Sequence, residues 1–230
     1  MVVLFDVDRT LVGVNCTAAL ARALASDGVV PWRTVAALAV EQWLYRLRLL
    51  PFATLMAHAY ALIEERDIAR VEATAERVVR HVVMPALLPE AVARIARHRS
   101  RGDRVVLASA APAVVIERVA RHVGVDEVIA TEYERTGPRF GAVRTPQAYG
   151  AGKVALARQA GLLDGEPPHV YTDHAEDWPL IQASGFATLV NPARHLVREV
   201  RRQHLAHEVV RWERGGVTAT ATSEPASPGP

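Results

Sequence analysis

The opening stretch of the chain constrains the fold more than any other. Four apolar residues, at positions 2–5, lead directly into Asp6 and Asp8, a pattern typical of a fully buried strand in a parallel sheet. Such sheets bind ligands at the carboxyl ends of their strands, where both acids would lie. Because side chains alternate along an extended chain, Asp6 and Asp8 would point the same way and repel each other unless a divalent cation and a phosphoryl group lay nearby. The alternative interpretation is an ordinary strand-to-loop turn, in which Asp is common.

The rest of the chain alternates predicted strands and helices, which indicates an α/β fold with a parallel sheet. Apolar runs predict further strands, at 103–108, 127–131, 169–172, 186–190 and 208–212. Helices are predicted at 15–27, 89–100, 113–122, 151–161 and 195–204, and a small hairpin at 132–143. Residues 32–81 have a helical pattern with breaks near Pro51 and Asp67. Residues 214–230 lack periodicity and are predicted to be a disordered tail.

Composition limits the possible partners. The net charge of +2 over 230 residues argues against a polyanion partner such as a nucleic acid. The single cysteine, Cys16, excludes an intrachain disulfide and fits a reducing compartment, so a cytoplasmic location is predicted. No signal peptide is apparent, and no apolar stretch reaches the roughly 18 residues of a membrane span. The sequence does not indicate the oligomeric state.

The segment Asp6-Val7-Asp8-Arg9-Thr10-Leu11 resembles the first motif, Asp-x-Asp-x-Thr-Leu/Val, of the haloacid dehalogenase (HAD) superfamily. The resemblance implies a Rossmann-like parallel sheet flanked by helices, with Asp6 as a nucleophile that forms an aspartyl-phosphate. It also implies that Asp8 is first the general acid for the leaving alcohol and then the base for water. Relatives that cleave carbon–halogen bonds lack the second acid, so Asp8 favours phosphoryl transfer. Thr10 is predicted to bind phosphate or to hydrogen-bond near the site.

Ser109 follows the apolar residues 105–108 and resembles the family's second motif. Its hydroxyl and the adjacent backbone amides, including that of Ala110, would form an anion site at a helix N-terminus. The alternative is that Ser109 only caps the following helix.

Lys153 is the only lysine in the chain and occupies the place of the third motif, at the start of a predicted helix. Its ammonium group would neutralise the phosphate and the Asp6 carboxylate. A surface lysine near a helix start is the alternative. The Gly-rich segment before it is not a nucleotide P-loop, because Val154 stands where Ser or Thr is required.

Asp173 and Asp177 resemble the fourth motif and follow a predicted strand. Two carboxylates four residues apart can converge on one cation, and Mg²⁺ prefers oxygen ligands. The resemblance implies a Mg²⁺ site made by Asp6, Asp8 through its backbone carbonyl, Asp173 and Asp177, with Asp177 as a ligand or a supporting group. The alternative is an acidic helix N-terminus. His174 is predicted either to line the pocket or to be exposed.

The helical block resembles the small cap of the phosphoserine-phosphatase-like branch of the superfamily. It predicts a catalytic core at 1–13 and 85–213 with an inserted α-helical cap at 14–84. Phosphoserine phosphatases carry a Glu nine residues after the nucleophile and an Arg further along the cap. Here the first position holds Asn15, and residues 52–58 contain no Arg, which argues against phosphoserine as the substrate. Asn15 and His174 are the candidate substrate contacts.

The predicted cap is rich in aromatic and aliphatic residues, most of which are expected to form its own core. A minority could face an apolar leaving group, such as a lipid or aromatic phosphate, and Arg46 and Arg48 could orient a charged one. The predicted function is that of a Mg²⁺-dependent phosphatase acting on a small-molecule phosphate ester. The alternatives are a phosphotransferase or mutase of the same superfamily, and a non-catalytic HAD-like binding protein.

Overall fold

The structure, a computed structural model, describes residues 1–213, and the predicted tail at 214–230 lies outside the described residues. A six-stranded sheet forms the centre, and all of its neighbouring strands are parallel. Its strands, in sheet order, are β3 (Glu127–Thr131), β2 (Arg104–Pro112), β1 (Val2–Phe5), β6 (His169–Thr172), β7 (Phe186–Val190) and β8 (His207–Val210). The predicted hairpin is the antiparallel pair β4 (Tyr133–Thr136) and β5 (Arg139–Val143).

Helices fill the connections between the strands. They are α1 (Cys16–Ser26), α2 (Trp32–Arg46), α3 (Phe52–Ala61), α4 (Ile68–Val78), α5 (Pro89–Ser100), α6 (Ala113–Val123), α7 (Ala151–Gln159), α8 (Trp178–Gln182) and α9 (Arg194–Arg202). Local sequence explains several of their ends. Asn15 caps α1 by accepting a hydrogen bond from the Ala18 amide at 2.7 Å, and Gly124 ends α6 in the left-handed conformation. The predicted α/β fold is confirmed.

The central strand β1 is buried on both faces, as its continuous apolar sequence predicts. Val3 and Phe5 point into the larger core, while Leu4 points into the core on the opposite face. Phe5 stacks on Tyr171 of the neighbouring strand β6, with ring centroids 4.3 Å apart. This burial holds the carboxyl end of β1, and therefore Asp6, in a fixed position within the sheet.

Helices α1–α4 lie between β1 and β2, where the cap is predicted. The buried residues of α1 and α4 belong to the same core as Val3 and Phe5, whereas α2 contributes no buried residue. Met56 and Tyr60 of α3 lie in this core as well, so the insertion is anchored through α1, α3 and α4, and α2 is its most exposed part. The boundaries at 1–13, 14–84 and 85–213 stay a prediction.

Four details differ from the sequence prediction. The chain forms a short helix, α8, after the fourth motif, and a π-helical turn at Val79–Val83. Strand β2 continues through Ser109 to Pro112, because Pro112 still pairs with Thr131 of β3. Strand β8 ends at Val210 rather than at residue 212, since the Trp212 amide donates to the Asn191 side chain at 3.0 Å instead of extending the ladder. No helix in residues 1–213 is both long and apolar enough to cross a membrane.

A buried histidine ties α5 to the sheet. His98 Nδ1 lies 2.8 Å from Asp103 Oδ2, and its Nε2 lies 2.8 Å from the Tyr171 hydroxyl. The imidazole is therefore fully used in joining a helix end to the residue before β2 and to the centre of β6.

We expect His98→Ala to lower the free energy of unfolding by about 2–4 kcal/mol, because it opens a cavity and removes a hydrogen-bond partner from Asp103 and from Tyr171. Denaturant unfolding followed by circular dichroism measures this. The matched control, His195→Ala, removes an exposed imidazole and should change stability by less than about 0.5 kcal/mol. Equal stabilities of the two variants would contradict the assignment.

Candidate active site

The carboxyl ends of β1, β2 and β6 open into a cleft of about 620 Å³. Helices α1, α2 and α3 form its opposite wall. The sheet side is lined by most of the predicted site residues, namely Asp6, Asp8, Ser109, Ala110, Lys153, Asp173, His174 and Asp177. The structure thus brings together residues from four separate parts of the chain, at the edge of the sheet that the strand pattern predicts.

A tight turn after β1 presents the two acids. The Val7 carbonyl accepts hydrogen bonds from three amides, those of Thr10, Leu11 and Val12, at 2.9–3.2 Å. Arg9 adopts the left-handed conformation within this turn, with φ of 62°. Both Asp6 and Asp8 consequently face the cleft, as the alternation of side chains predicts.

The partners of the two acids differ. Asp8 Oδ1 accepts a hydrogen bond from the Cys16 amide at 2.9 Å, at the start of α1. The Thr10 hydroxyl donates to Asp6 Oδ2 at 3.1 Å. The prediction that Thr10 binds phosphate is not supported, because Thr10 is fully buried behind Asp6 and does not line the cleft. Its geometry makes it a support for the Asp6 carboxylate.

Lys153 is buried rather than on the surface, with 3% of its side chain exposed. Its ammonium group donates to Asp6 Oδ1 at 2.9 Å and to Asp177 Oδ1 at 2.7 Å. The surface-lysine alternative is therefore wrong. A single buried cation joins the carboxyl end of β1 to the segment that follows β6.

Steric crowding explains why a glycine, Gly152, precedes Lys153. A Cβ atom at Gly152 would lie 2.0 Å from the carbonyl oxygen of Gln147, closer than any side-chain carbon can approach. The loop can pass this carbonyl only as glycine. The Gly-x-Gly-Lys sequence therefore sets the position from which Lys153 enters the site.

Asp177 is held from both sides. Its Oδ1 accepts from Lys153, and its Oδ2 accepts from the Thr172 hydroxyl at 2.7 Å. Within the described residues the Asp173 carboxylate, by contrast, accepts no hydrogen bond, although it lines the same cleft. The two acids of the fourth motif thus differ in their surroundings, since Asp177 is fixed by neighbours and Asp173 keeps its oxygens free.

Burial dominates the electrostatics of the acids. It raises the pKa of Asp6 above its usual range, against the opposing effect of Lys153. Burial also raises the pKa of Asp8. Burial, together with the Asp177 and Asp8 carboxylates, raises the pKa of Asp173 to about 7, although Arg9 acts in the opposite direction. Burial alone would lower the pKa of Lys153, but Asp177 and Asp6 outweigh it and raise that pKa.

These acids carry more negative charge than Lys153 can balance, and every side-chain ligand they offer is an oxygen. This donor set fits Mg²⁺, which takes few protein carboxylates and completes its octahedron with water and phosphate oxygens. In residues 1–213 no group of three or more His, Cys, Asp or Glu side chains is arranged to hold a metal ion by itself. The residues therefore fit a site that water and substrate complete.

Ser109 and Ala110 lie near the carboxyl end of β2 and line the cleft there. Ser109 is buried, and its hydroxyl oxygen accepts from the Ala111 amide at 3.2 Å. The alternative that it caps the next helix is wrong, because Pro112 holds the N-cap position of α6. The Ala110 carbonyl accepts from the hydroxyls of Tyr60 and Thr131, at 2.9 and 3.0 Å. Tyr60 of α3 thereby fixes the end of β2, which carries both residues.

The predicted substrate contacts both lie in the cleft. Asn15 lines it while its side-chain oxygen caps α1. His174 also lines it and is not exposed, and its Nδ1 accepts from the Glu176 amide at 3.3 Å. Burial lowers the pKa of His174, which favours the neutral imidazole.

Sequence reasoning missed the contacts between the helical insertion and the sheet edge. Tyr45 of α2 donates to Glu176 Oε1 at 3.2 Å across the cleft, and Tyr60 reaches Ala110. These residues are far apart in the sequence and come together only when the chain folds. The sequence gives one indication of these contacts, because the hydroxyl of a buried tyrosine usually has a hydrogen-bond partner.

We expect Asp173→Asn to stabilise the metal-free protein at pH 8 by about 1–3 kcal/mol, since one pKa unit corresponds to about 1.4 kcal/mol. An acid whose pKa is raised binds more protons in the folded state, so stability falls as pH rises from about 4 to about 7. The variant has no titrating carboxyl at this position, so its stability does not fall with pH for this reason. Denaturant unfolding between pH 5 and 8 with a chelator measures it.

The exposed Asp126, at the opposite edge of the sheet before β3, provides the matched control. Asp126→Asn should keep the pH dependence of the native protein. If Asp173→Asn shows that same dependence, the carboxylate of Asp173 is not destabilised by burial.

Comparison with known proteins agrees with this geometry. The haloacid dehalogenase-like hydrolase family matches residues 3–182. A probable phosphatase of Mycobacterium tuberculosis is 26% identical over 201 residues, which cover 85% of this chain and 70% of that protein. A solved protein of unknown function from Bordetella pertussis has a TM-score of 0.79 and 25% identity, over 90% of this chain and 96% of that one.

A phosphoserine phosphatase, solved as an analogue of its phospho-aspartyl intermediate, has a TM-score of 0.64 and 17% identity, over 88% of this chain and 97% of that one. This likeness shows a shared fold. The family match extends from β1 through α8 and includes every predicted site residue from Asp6 to Asp177. The chain therefore belongs to the haloacid dehalogenase-like hydrolase family.

Proposed function

We propose that the protein is a Mg²⁺-dependent phosphatase that hydrolyses phosphate monoesters through an aspartyl-phosphate on Asp6. The observation that carries this proposal is the buried Lys153, held between Asp6 and Asp177 beside two further acids. An ion pair that served stability alone would not need the surplus carboxylates, because uncompensated buried charge is costly. Similarity to a probable phosphatase supports the same activity.

The first step is phosphoryl transfer to Asp6. Thr10 and Lys153 hold the two oxygens of its carboxylate and so orient it toward the cleft. An Asp6 oxygen attacks phosphorus, and the bond between phosphorus and the leaving oxygen breaks. Asp8 gives its proton to that oxygen, since burial raises the pKa of Asp8 and favours its protonated form. The ammonium group of Lys153, 2.9 Å from Asp6 Oδ1, acts against the effect of burial on Asp6 and favours its ionised form. Ser109 and the neighbouring amides bind the phosphate oxygens.

The second step releases phosphate. A water molecule attacks phosphorus, Asp8 as a carboxylate accepts the proton from that water, and the bond between Asp6 and phosphorus breaks. Lys153 remains beside Asp6 throughout and balances the charge that develops on the phosphoryl oxygens. The cycle returns Asp6 to its ionised form and Asp8 to its protonated form.

Asp6, Asp173 and the backbone carbonyl of Asp8 are the groups we propose to hold Mg²⁺. Of the two acids of the fourth motif, we assign direct ligation to Asp173, whose carboxylate accepts no hydrogen bond within residues 1–213, and a supporting role to Asp177, which is held by Lys153 and Thr172. When bound, the ion would supply positive charge to the phosphoryl group. The cytoplasmic location and the absence of a nucleic-acid partner stay predictions from the sequence.

We expect Asp6→Asn to lower phosphate release by at least about 1,000-fold, because the amide cannot form the covalent intermediate. The assay measures phosphate freed from a panel of phosphomonoesters, including p-nitrophenyl phosphate, with Mg²⁺ at pH 7. Asp126→Asn, which alters an exposed acid far from the cleft, should retain native activity. Equal activity of Asp6→Asn and the native protein would overturn the proposal.

Mg²⁺ should raise the unfolding temperature of the native protein, because a ligand that binds only the folded state stabilises it. Asp173→Asn should lose most of this response, although its metal-free form is the more stable one. Differential scanning fluorimetry with a Mg²⁺ titration measures both. An equal rise in the two proteins would remove Asp173 from the metal site.

A further inference from the structure

We propose that the leaving group of the substrate is hydrophobic, and that the enzyme takes phosphate monoesters whose hydrocarbon chain lies along α2. This rests on the proposed phosphatase function and adds the class of substrate. Two features of the helical wall carry it: the polarity of its lining and its continuity with an exposed apolar surface.

The wall that faces the acids is largely apolar. Val35 and Leu38 of α2, with Phe52, Leu55 and Met56 of α3, line the cleft opposite the phosphate end. A volume of about 620 Å³ is far more than a phosphate group occupies, so most of the cleft is available to the leaving group. Burial against these side chains favours hydrocarbon and penalises a polar group that finds no partner.

The helical wall also lacks an acid. Within residues 14–84, no Asp or Glu lines the cleft. Glu41, the acid of α2, is engaged with His58 at 2.9 Å, and Glu176 on the sheet side is engaged with Tyr45. An ammonium group on the substrate that lay against this wall would therefore find no carboxylate there to pair with. The helical wall thus disfavours zwitterionic leaving groups, because it offers no carboxylate to their ammonium group.

The apolar lining continues onto the surface. Trp43 lines the cleft, yet 59% of it is exposed. Beyond it, at the end of α2, Leu47 and Leu49 are exposed by 49% and 69%. Exposed apolar residues that continue directly from a cleft mark a binding surface more often than scattered ones do. A chain longer than the cleft would follow this path rather than meet a closed wall.

The arginines of the wall are compatible with such a chain. Arg22 and Arg46 line the cleft from α1 and α2. Their guanidinium groups attract the doubly charged phosphate, while their aliphatic stems can lie against hydrocarbon.

The test is the chain-length dependence of kcat/KM for ethyl, butyl, hexyl and octyl phosphate, below the concentrations at which they form micelles. We expect kcat/KM to rise roughly 2- to 4-fold for each added methylene, until the chain leaves the cleft. Phosphoserine should be a poorer substrate than hexyl phosphate. The same kcat/KM for ethyl and octyl phosphate, or a preference for phosphoserine, would overturn the proposal.

Variants of α2 locate the chain. Leu38→Gln should lower the ratio of octyl to ethyl kcat/KM at least about 5-fold. Trp43→Ser gives the same test at an exposed position, where the fold is not at risk. Val40→Gln is the matched control, because Val40 is exposed on the same helix but does not line the cleft. An unchanged ratio in both Leu38→Gln and Trp43→Ser would refute the path.

Binding separates this proposal from the proposed function. Alkylphosphonates of the same chain lengths contain a carbon–phosphorus bond that a phosphatase does not hydrolyse, and calorimetry measures their affinity. If affinity rises with chain length but no ester is hydrolysed, the substrate class stands and the catalytic proposal falls. If short esters are hydrolysed through Asp6 without any dependence on chain length, the catalytic proposal stands and the substrate class falls. If neither affinity nor hydrolysis is seen, both fall.

Discussion

The ion pairs of the buried Lys153 with Asp6 and Asp177 are the interaction on which the rest of the site depends. Lys153 enters from the start of α7, Asp6 follows the central strand β1, and Asp177 follows β6. Neither acid is tolerable in a buried position without the cation, and the cation is not tolerable without the acids. Gly152 makes the arrangement possible, because only glycine passes the Gln147 carbonyl. The three catalytic segments are thereby fixed relative to one another before any substrate binds.

The same arrangement contains more acidic side chains than its one lysine can neutralise. Lys153 neutralises part of the negative charge, while Asp173 and Asp8 remain as half-buried acids with raised pKa values. Such groups lower the stability of the metal-free fold, and they are kept in a site where a cation and a phosphoryl group would use them. The network of His98, Asp103 and Tyr171 joins α5 to β6 and to the residue before β2, and its imidazole is fully paired. Stability and chemistry are therefore served by different polar groups within one sheet.

Much of the fold could be predicted because its signals are local. The apolar run at 2–5, the strand before Asp173 and the glycine that ends α6 each act within a few residues. All of the predicted site residues except Thr10 line one cleft, since parallel strands end at a common edge. The sequence could not show which side chains contact each other when they are far apart along the chain. Tyr45 and Glu176 are separated by 131 positions, and neither residue type indicates that the two form a hydrogen bond. The motif predicted that Thr10 binds phosphate or hydrogen-bonds near the site, and only the packed structure shows that it is buried behind Asp6 and donates to it.

The most direct test of the account is to trap the covalent intermediate in the Asp8→Asn variant. Nitrophenolate leaves without a proton, so p-nitrophenyl phosphate should phosphorylate Asp6 even though the variant lacks the base that activates water. We predict a burst of about one nitrophenolate per protein, followed by slow turnover. After acid quenching, peptide mass spectrometry should locate one phosphoryl group on Asp6. Absence of a burst, or a phosphoryl group on any other residue, would contradict the account.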